Sequence, residues 1–209
     1  VAAMDAGFFR RWLTLAAAAV DRDAARLTDL DSAVGDADHG SNLRRGFTAV
    51  TAALDADSPD TPGAVLQLAG RTLVSTVGGA SGPLYGTLLR RTGKALGDGA
   101  EVSGEELRDA LRAGVEAVAR LGGGAAGDKT MLDALLPAVD ALPDTAAARA
   151  AALGGAEATV PLQARKGRAS YLGERSKGHM DPGAASSALL IGALDEAAAG
   201  QDGTVEGDG

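Results

Sequence analysis

Apolar residues along this chain recur at intervals of three and four, and alternation of period two is scarce, so the pattern predicts helices and hardly any sheet. Residues 6–29 read as a long helix, with Phe8, Phe9, Trp12, Leu13 and Leu15 near its start. Further helices are predicted over 41–55, 62–76, 81–96, 104–121, 129–141, 144–165 and 182–199. Local signals support several starts. Pro62 suits a first helical position, and Ser103 followed by Glu106 makes a capping box. In the fifth helix Leu107, Leu111, Val115 and Val118 form one stripe, and in the sixth Leu132, Leu135, Leu136 and Val139 form another. Eight helices joined by short connections predict an all-α, antiparallel up-and-down bundle or barrel in a single domain over 1–200. The acidic, glycine-rich stretch 201–209 is expected to be a flexible tail.

Composition narrows the function classes. The 209 residues hold 20 Lys+Arg against 28 Asp+Glu, a formal charge of −8, which argues against nucleic acid or an anionic membrane as partner. Cysteine is absent, so disulfides, thiolate metal sites and cysteine nucleophiles are excluded. No apolar run approaches the ~18 residues of a membrane span, and the first residues lack the order of a signal peptide. A cytoplasmic protein is the expectation.

Glycine is abundant, at 30 residues, and much of it falls in four connections: 35–42, 78–86, 122–130 and 167–183. These follow the first, third, fifth and seventh predicted helices, and alternate connections of an up-and-down bundle meet at one end. That end is predicted to carry the function. Asp31, Asp36 and Asp38 cluster there and would repel one another without a cation. Oxygen ligands without thiolate point to Mg²⁺ or Ca²⁺. An EF-hand does not fit, because twelve positions from Asp36 stands Phe47 and from Asp31 stands Asn42, where a closing Glu is required. Magnesium, which completes its shell with phosphates, is the better match.

Glycine-rich loops that open helices present backbone N–H groups to phosphate, as 38–42 and 78–82 would. The segment 122–130 mimics a dinucleotide fingerprint and a P-loop, but a helix precedes it and Asp128 stands at the lysine position, so both matches fail. Arg165, Lys166, Arg168, Arg175 and Lys177 gather in the last of the four connections, where a guanidinium could face a polyphosphate. No Ser/His/Asp arrangement and no evident general base appear.

The segments LDSAVGDADHGSN, TVGGASGPLYGTLL, GDKTMLDALLPA and GRASYLGERSKGHMDPGAAS together resemble the ADP-binding (L) subunits of dihydroxyacetone kinases, in the same order and over nearly the whole chain. The resemblance implies an eight-helix antiparallel barrel with the nucleotide at one end. It implies that Asp31, Asp36 and Asp38 hold two Mg²⁺ ions that bridge the phosphates of ADP or ATP. His39, Gly40, Ser41 and Asn42 would line the nucleotide, and Ala80 and Ser81 would contact phosphate. Gly122 and Met131 would flank the adenine, while Arg168 and the turn Asp181, Pro182, Gly183 would close the site. The family departs from this chain at Lys177 and Met180. The implied activity is phosphoryl transfer to dihydroxyacetone held on a separate K subunit, with bound ADP rephosphorylated by a phosphohistidine protein of the phosphotransferase system. A homodimer or a heterocomplex is the expected assembly. The competing readings are an ATP-dependent short-ketose or fatty-acid kinase subunit and an apolar-ligand binding module.

Overall fold

The computed structural model describes residues 3–202. Eight α-helices follow in order: α1 (Ala6–Val34), α2 (His39–Asp57), α3 (Pro62–Thr76), α4 (Ser81–Leu96), α5 (Gly104–Gly122), α6 (Leu132–Ala141), α7 (Thr145–Ala158) and α8 (Pro182–Asp202). Each packs against its neighbours in sequence, and α8 returns to α1, so the helices form a ring. The ring interior is filled by residues such as Leu66, Leu88, Leu111 and Leu135, all inaccessible to solvent. Phe8, Phe9 and Trp12 pack edge to face at the start of α1, and the Trp12 indole N–H donates to the Leu190 carbonyl at 2.9 Å. Among the described residues no helix is long and apolar enough to cross a membrane.

The all-α expectation holds, with several local differences. Helix α1 runs five residues past its predicted end, which places Asp31 on its last turn. Helix α7 stops at Ala158, seven residues short of the prediction. Pro161 follows closely and lacks an N–H for a continuing helix. The connection after α7 contains a 3-10 segment, Arg168–Ser176, broken by Gly173 at φ 55°. A two-residue antiparallel pairing, Met4–Asp5 with Glu101–Val102, is too short for any periodicity to reveal. Of the predicted acidic tail, Gln201 and Asp202 continue α8, and 203–209 lie outside the described residues.

Glycine has a second use that its place in the connections does not reveal. Between α3 and α4 a Cβ on Gly70 would stand 2.7 Å from the Gly86 carbonyl oxygen, and one on Gly63 would stand 2.3 Å from that of Gly97. These helices touch backbone to backbone, a contact that any larger residue would push apart.

Candidate functional site

The two ends of the ring differ in how their helices begin. Helices α1, α3, α5 and α7 start at the end away from the glycine-rich connections. Each is capped by a side chain, from Asp5, Thr61, Ser103 and Asp144 respectively. Helices α2, α4 and α6 start at the other end, at Asp38, Ala80 and Met131, none of which makes a side-chain cap, whereas α8, which also starts there, is capped by Asp181. Uncapped N-termini leave backbone donors and the positive ends of helix dipoles available for an anion. They open onto a cleft of about 420 Å³.

Beside them sit the three carboxylates. The Asp31 Oδ2 accepts from the backbone N–H groups of Asp38 at 2.9 Å and His39 at 3.1 Å, folding the connection back onto α1. Ala37 takes a φ of 61° to make the turn. The result is that Asp31, Asp36 and Asp38 each offer an oxygen within 4.8 Å of the others. At that separation two unit charges repel by about 3 kcal/mol at an effective dielectric constant of ~20. Arg168 offsets part of this through an ion pair with Asp36 at 2.5 Å. Gly35 is shaped to the cluster, because a Cβ there would stand 2.2 Å from the Asp31 Oδ1. An all-carboxylate donor set with room at its base fits a hard divalent cation.

Deeper in, His39 is held between two hydroxyls. Its Nδ1 lies 3.1 Å from the Ser81 Oγ and its Nε2 lies 2.9 Å from the Ser186 Oγ. The chain continues to the Tyr85 hydroxyl, 2.5 Å from Ser186 and 2.9 Å from Ser187. Burial lowers the His39 pKa against the opposing pull of Asp31 and Asp38, which favours the neutral imidazole. Burial pushes the Tyr85 phenol up to about 12. This network ties together the starts of α2, α4 and α8.

Most of the residues singled out from sequence line the cleft: Asp31, Asp36, Asp38, His39, Asn42, Ala80, Ser81, Gly122, Met131, Arg168, Asp181, Pro182 and Gly183. Gly40 and Ser41 do not. A Cβ on Gly40 would stand 2.0 Å from the Ala24 carbonyl oxygen, so this glycine serves the packing of α2 on α1. The Ser41 hydroxyl donates to the Asp38 carbonyl at 3.0 Å. Apolar lining comes from Leu84, Val118 and Leu132.

Sequence reasoning gave Lys129 no role. It is 1% exposed, and its ammonium donates to the carbonyls of Ser176 at 2.6 Å, Leu162 at 3.1 Å and Val160 at 3.5 Å. One cation thus gathers the segment that carries Arg168. Nothing in a short glycine-rich loop marks a lysine as buried, since no period runs through it.

Near Lys129, desolvation pushes the Asp181 carboxyl up to about 7, although the Ala184 N–H and the Lys129 charge pull it down. Its Oδ2 accepts from Ala184 N–H at 2.8 Å, capping α8. Because the folded pKa lies above the unfolded one, the folded chain holds the extra proton between about pH 4 and 7, and stability falls as pH rises through that window. Asp181→Asn keeps a capping oxygen and removes the penalty. The residue is partly open to the cleft, which discounts the effect, so we expect a gain of about 1–3 kcal/mol at pH 8 and little at pH 4. Urea unfolding at the two pH values measures it, and parallel pH profiles for both proteins would show an ordinary, ionised carboxylate.

The comparisons with known proteins agree with this geometry. The DAK2 domain family matches residues 33–196. The ADP-binding subunit of PEP-dependent dihydroxyacetone kinase 1 from Listeria innocua is 44% identical over 88% of this chain and 92% of its own length. The corresponding Escherichia coli subunit is 42% identical over 86% and 91%. The structure of the C. freundii dihydroxyacetone kinase in complex with AMP-PNP and Mg²⁺ superposes with a TM-score of 0.71 at 29% identity, covering 91% of this chain. The present chain spans about a third of that kinase, 33% of its length. Motifs, ring of helices and matched relatives coincide, and the chain belongs to the DAK2 domain family, alongside the ADP-binding subunits of dihydroxyacetone kinase.

Proposed function

We propose that this chain is the nucleotide-carrying subunit of a cytoplasmic dihydroxyacetone kinase. It would hold ADP or ATP with Mg²⁺ in the cleft and present the terminal phosphate to dihydroxyacetone bound on a separate K subunit. The single observation that carries the reading is the meeting of three carboxylates with the uncapped starts of α2 and α4 in one cleft. Carboxylates and anion-binding helix ends are both satisfied by a metal-bound polyphosphate, and by few other ligands. Asp31, Asp36 and Asp38 would hold two Mg²⁺ ions. When bound, the metal neutralises phosphate charge.

The protein's own residues then position. Backbone donors of Gly40, Ser41, Ala80 and Ser81 would take the phosphates, while His39 and Asn42, whose N–H groups are held by Asp31 and Asp38, would line the nucleotide. Gly122 and Met131, with apolar Leu84, Val118 and Leu132 beside them, would hold the adenine. Arg168 and the turn Asp181–Gly183 would close over the ligand. His39 is engaged at both nitrogens, and Tyr85 is buried and held to hydroxyls, so neither is free to take a proton from an acceptor. Positioning and charge neutralisation are most of what phosphoryl transfer asks of a protein, and activation of the acceptor falls to the partner.

Relatives named as PEP-dependent favour a version in which ADP stays bound and is rephosphorylated in place by a phosphohistidine protein of the phosphotransferase system. Purified chain is then expected to keep one ADP through extended dialysis in Mg²⁺. Added K subunit and phosphotransferase proteins should drive turnover without free ATP. Rapid exchange of labelled ADP together with turnover driven by ATP would replace this version with a conventional ATP-dependent one.

A further inference from the structure

Helices α3 and α4 carry Arg71, Arg90, Arg91 and Lys94 and no acidic residue at all, in a chain with eight more acids than bases. All four are exposed, and none has an ion-pair or hydrogen-bond partner among the described residues. Arg90, Arg91 and Lys94 line a second groove, of about 530 Å³, together with Gln67 and Thr87 and with Arg120 of α5. Arg120 has one weak ion pair, to Glu116 at 4.0 Å. The close approach of α3 to α4 shapes this face, because the Arg90 Cγ lies where a Cβ on Gly70 would come within 2.5 Å of it. The Arg90 stem therefore lies across the seam between the helices.

Two more features distinguish a protein-docking face from a pocket for a small anion. None of the groove's cations is buried, whereas a compact anion site encloses its charges. Leu121, 56% exposed, also lines the groove, and apolar residues beside arginines are the makeup of protein interfaces. A nucleic acid would meet the repulsion of the chain's −8 charge along its whole length. Position matters too. Leu84 and Gly122 line the nucleotide cleft, and Thr87 and Leu121 of the same two helices line this groove, within one helical turn.

We propose that the α3–α4–α5 groove is the landing surface for the phosphoryl-donor protein, fitting an acidic face beside its phosphohistidine. This rests on the carrier reading above. The donor is chosen over the K subunit on charge, because the group it brings is itself an anion, and a basic surface next to the cleft steers it there.

The test is the triple variant Arg90→Gln, Arg91→Gln, Lys94→Gln, which keeps the alkyl stems and removes the charges. Its second-order rate of rephosphorylation by the phosphohistidine protein should fall about tenfold at low salt, and its salt dependence should flatten. Mg·ADP affinity, thermal midpoint and K-subunit affinity should match wild type. An unchanged rate in folded variant overturns the proposal. So does a loss confined to K-subunit binding, which would assign the face to the acceptor partner. If wild type holds no Mg·ADP or takes no phosphoryl group from the donor, the carrier reading fails and this assignment falls with it, an outcome visible before any variant is made.

Discussion

Asp36→Ala/Asp38→Ala is expected to weaken Mg·ADP binding by at least about 100-fold while leaving the fold intact or more stable. Two of the three oxygen donors within 4.8 Å are removed, and hard-cation affinity follows the number of carboxylates. A 100-fold loss corresponds to about 2.7 kcal/mol. Stability is not expected to fall with it, because removing two of three neighbouring carboxylates relieves like-charge repulsion. Such a split marks residues kept for ligand binding rather than for the free protein. Titration calorimetry with Mg·ADP and with ADP in excess chelator separates the two contributions. The metal-free affinity, which rests on helix N-termini and apolar lining, should change far less. Asp29→Ala, an exposed neighbour outside the cluster, is the control and should behave as wild type. If the double variant binds Mg·ADP as tightly as wild type, the carboxylates are turn residues and the assignment of metal ligands fails.

How much of this was visible in the sequence depends on the kind of signal. Helices with an apolar stripe, such as α5 with its Ser103–Glu106 box, were legible nearly to the residue. Ends were legible only where a local stop exists. Helix α1 has none before Val34, so its run past residue 29 is not marked, and α7 ends early ahead of Pro161 although its alanine pattern invites continuation. The loaded end of the ring could be read from the glycine-rich connections, but glycine carried two messages. Gly35 leaves room for a carboxylate, whereas Gly40, Gly63, Gly70 and Gly86 let helices touch. A sequence shows the residue and not which atom it avoids. The contrast in capping was also present in the sequence, as Asp5, Thr61, Ser103 and Asp144 against Ala80 and Met131, and it is the more direct indicator of an anion site. What lies beyond sequence reading is a contact between distant loops, such as Lys129 with Val160, Leu162 and Ser176.

That contact carries the second large effect. Lys129→Met should destabilise the chain by about 3 kcal/mol or more, the scale of stranding buried acceptors of a charged donor. Three carbonyls converge on one ammonium, and methionine supplies neither charge nor donors. The affected part is the wall of the cleft. With its anchor gone, 160–177 should become sensitive to limited proteolysis, and Arg168 should lose its place beside Asp36. Mg·ADP affinity therefore falls along with stability. Arg168→Ala separates the two consequences, because its side chain is exposed and its removal should weaken binding without lowering the unfolding midpoint in urea. Lys129→Arg should not restore the wild type, since a planar guanidinium is too large for a site closed around a compact ammonium and its fork cannot address three convergent carbonyls. Should Lys129→Met unfold at the wild-type midpoint, the ammonium would be replaceable by water, and the order of the Arg168 segment would have to come from its own 3-10 turns.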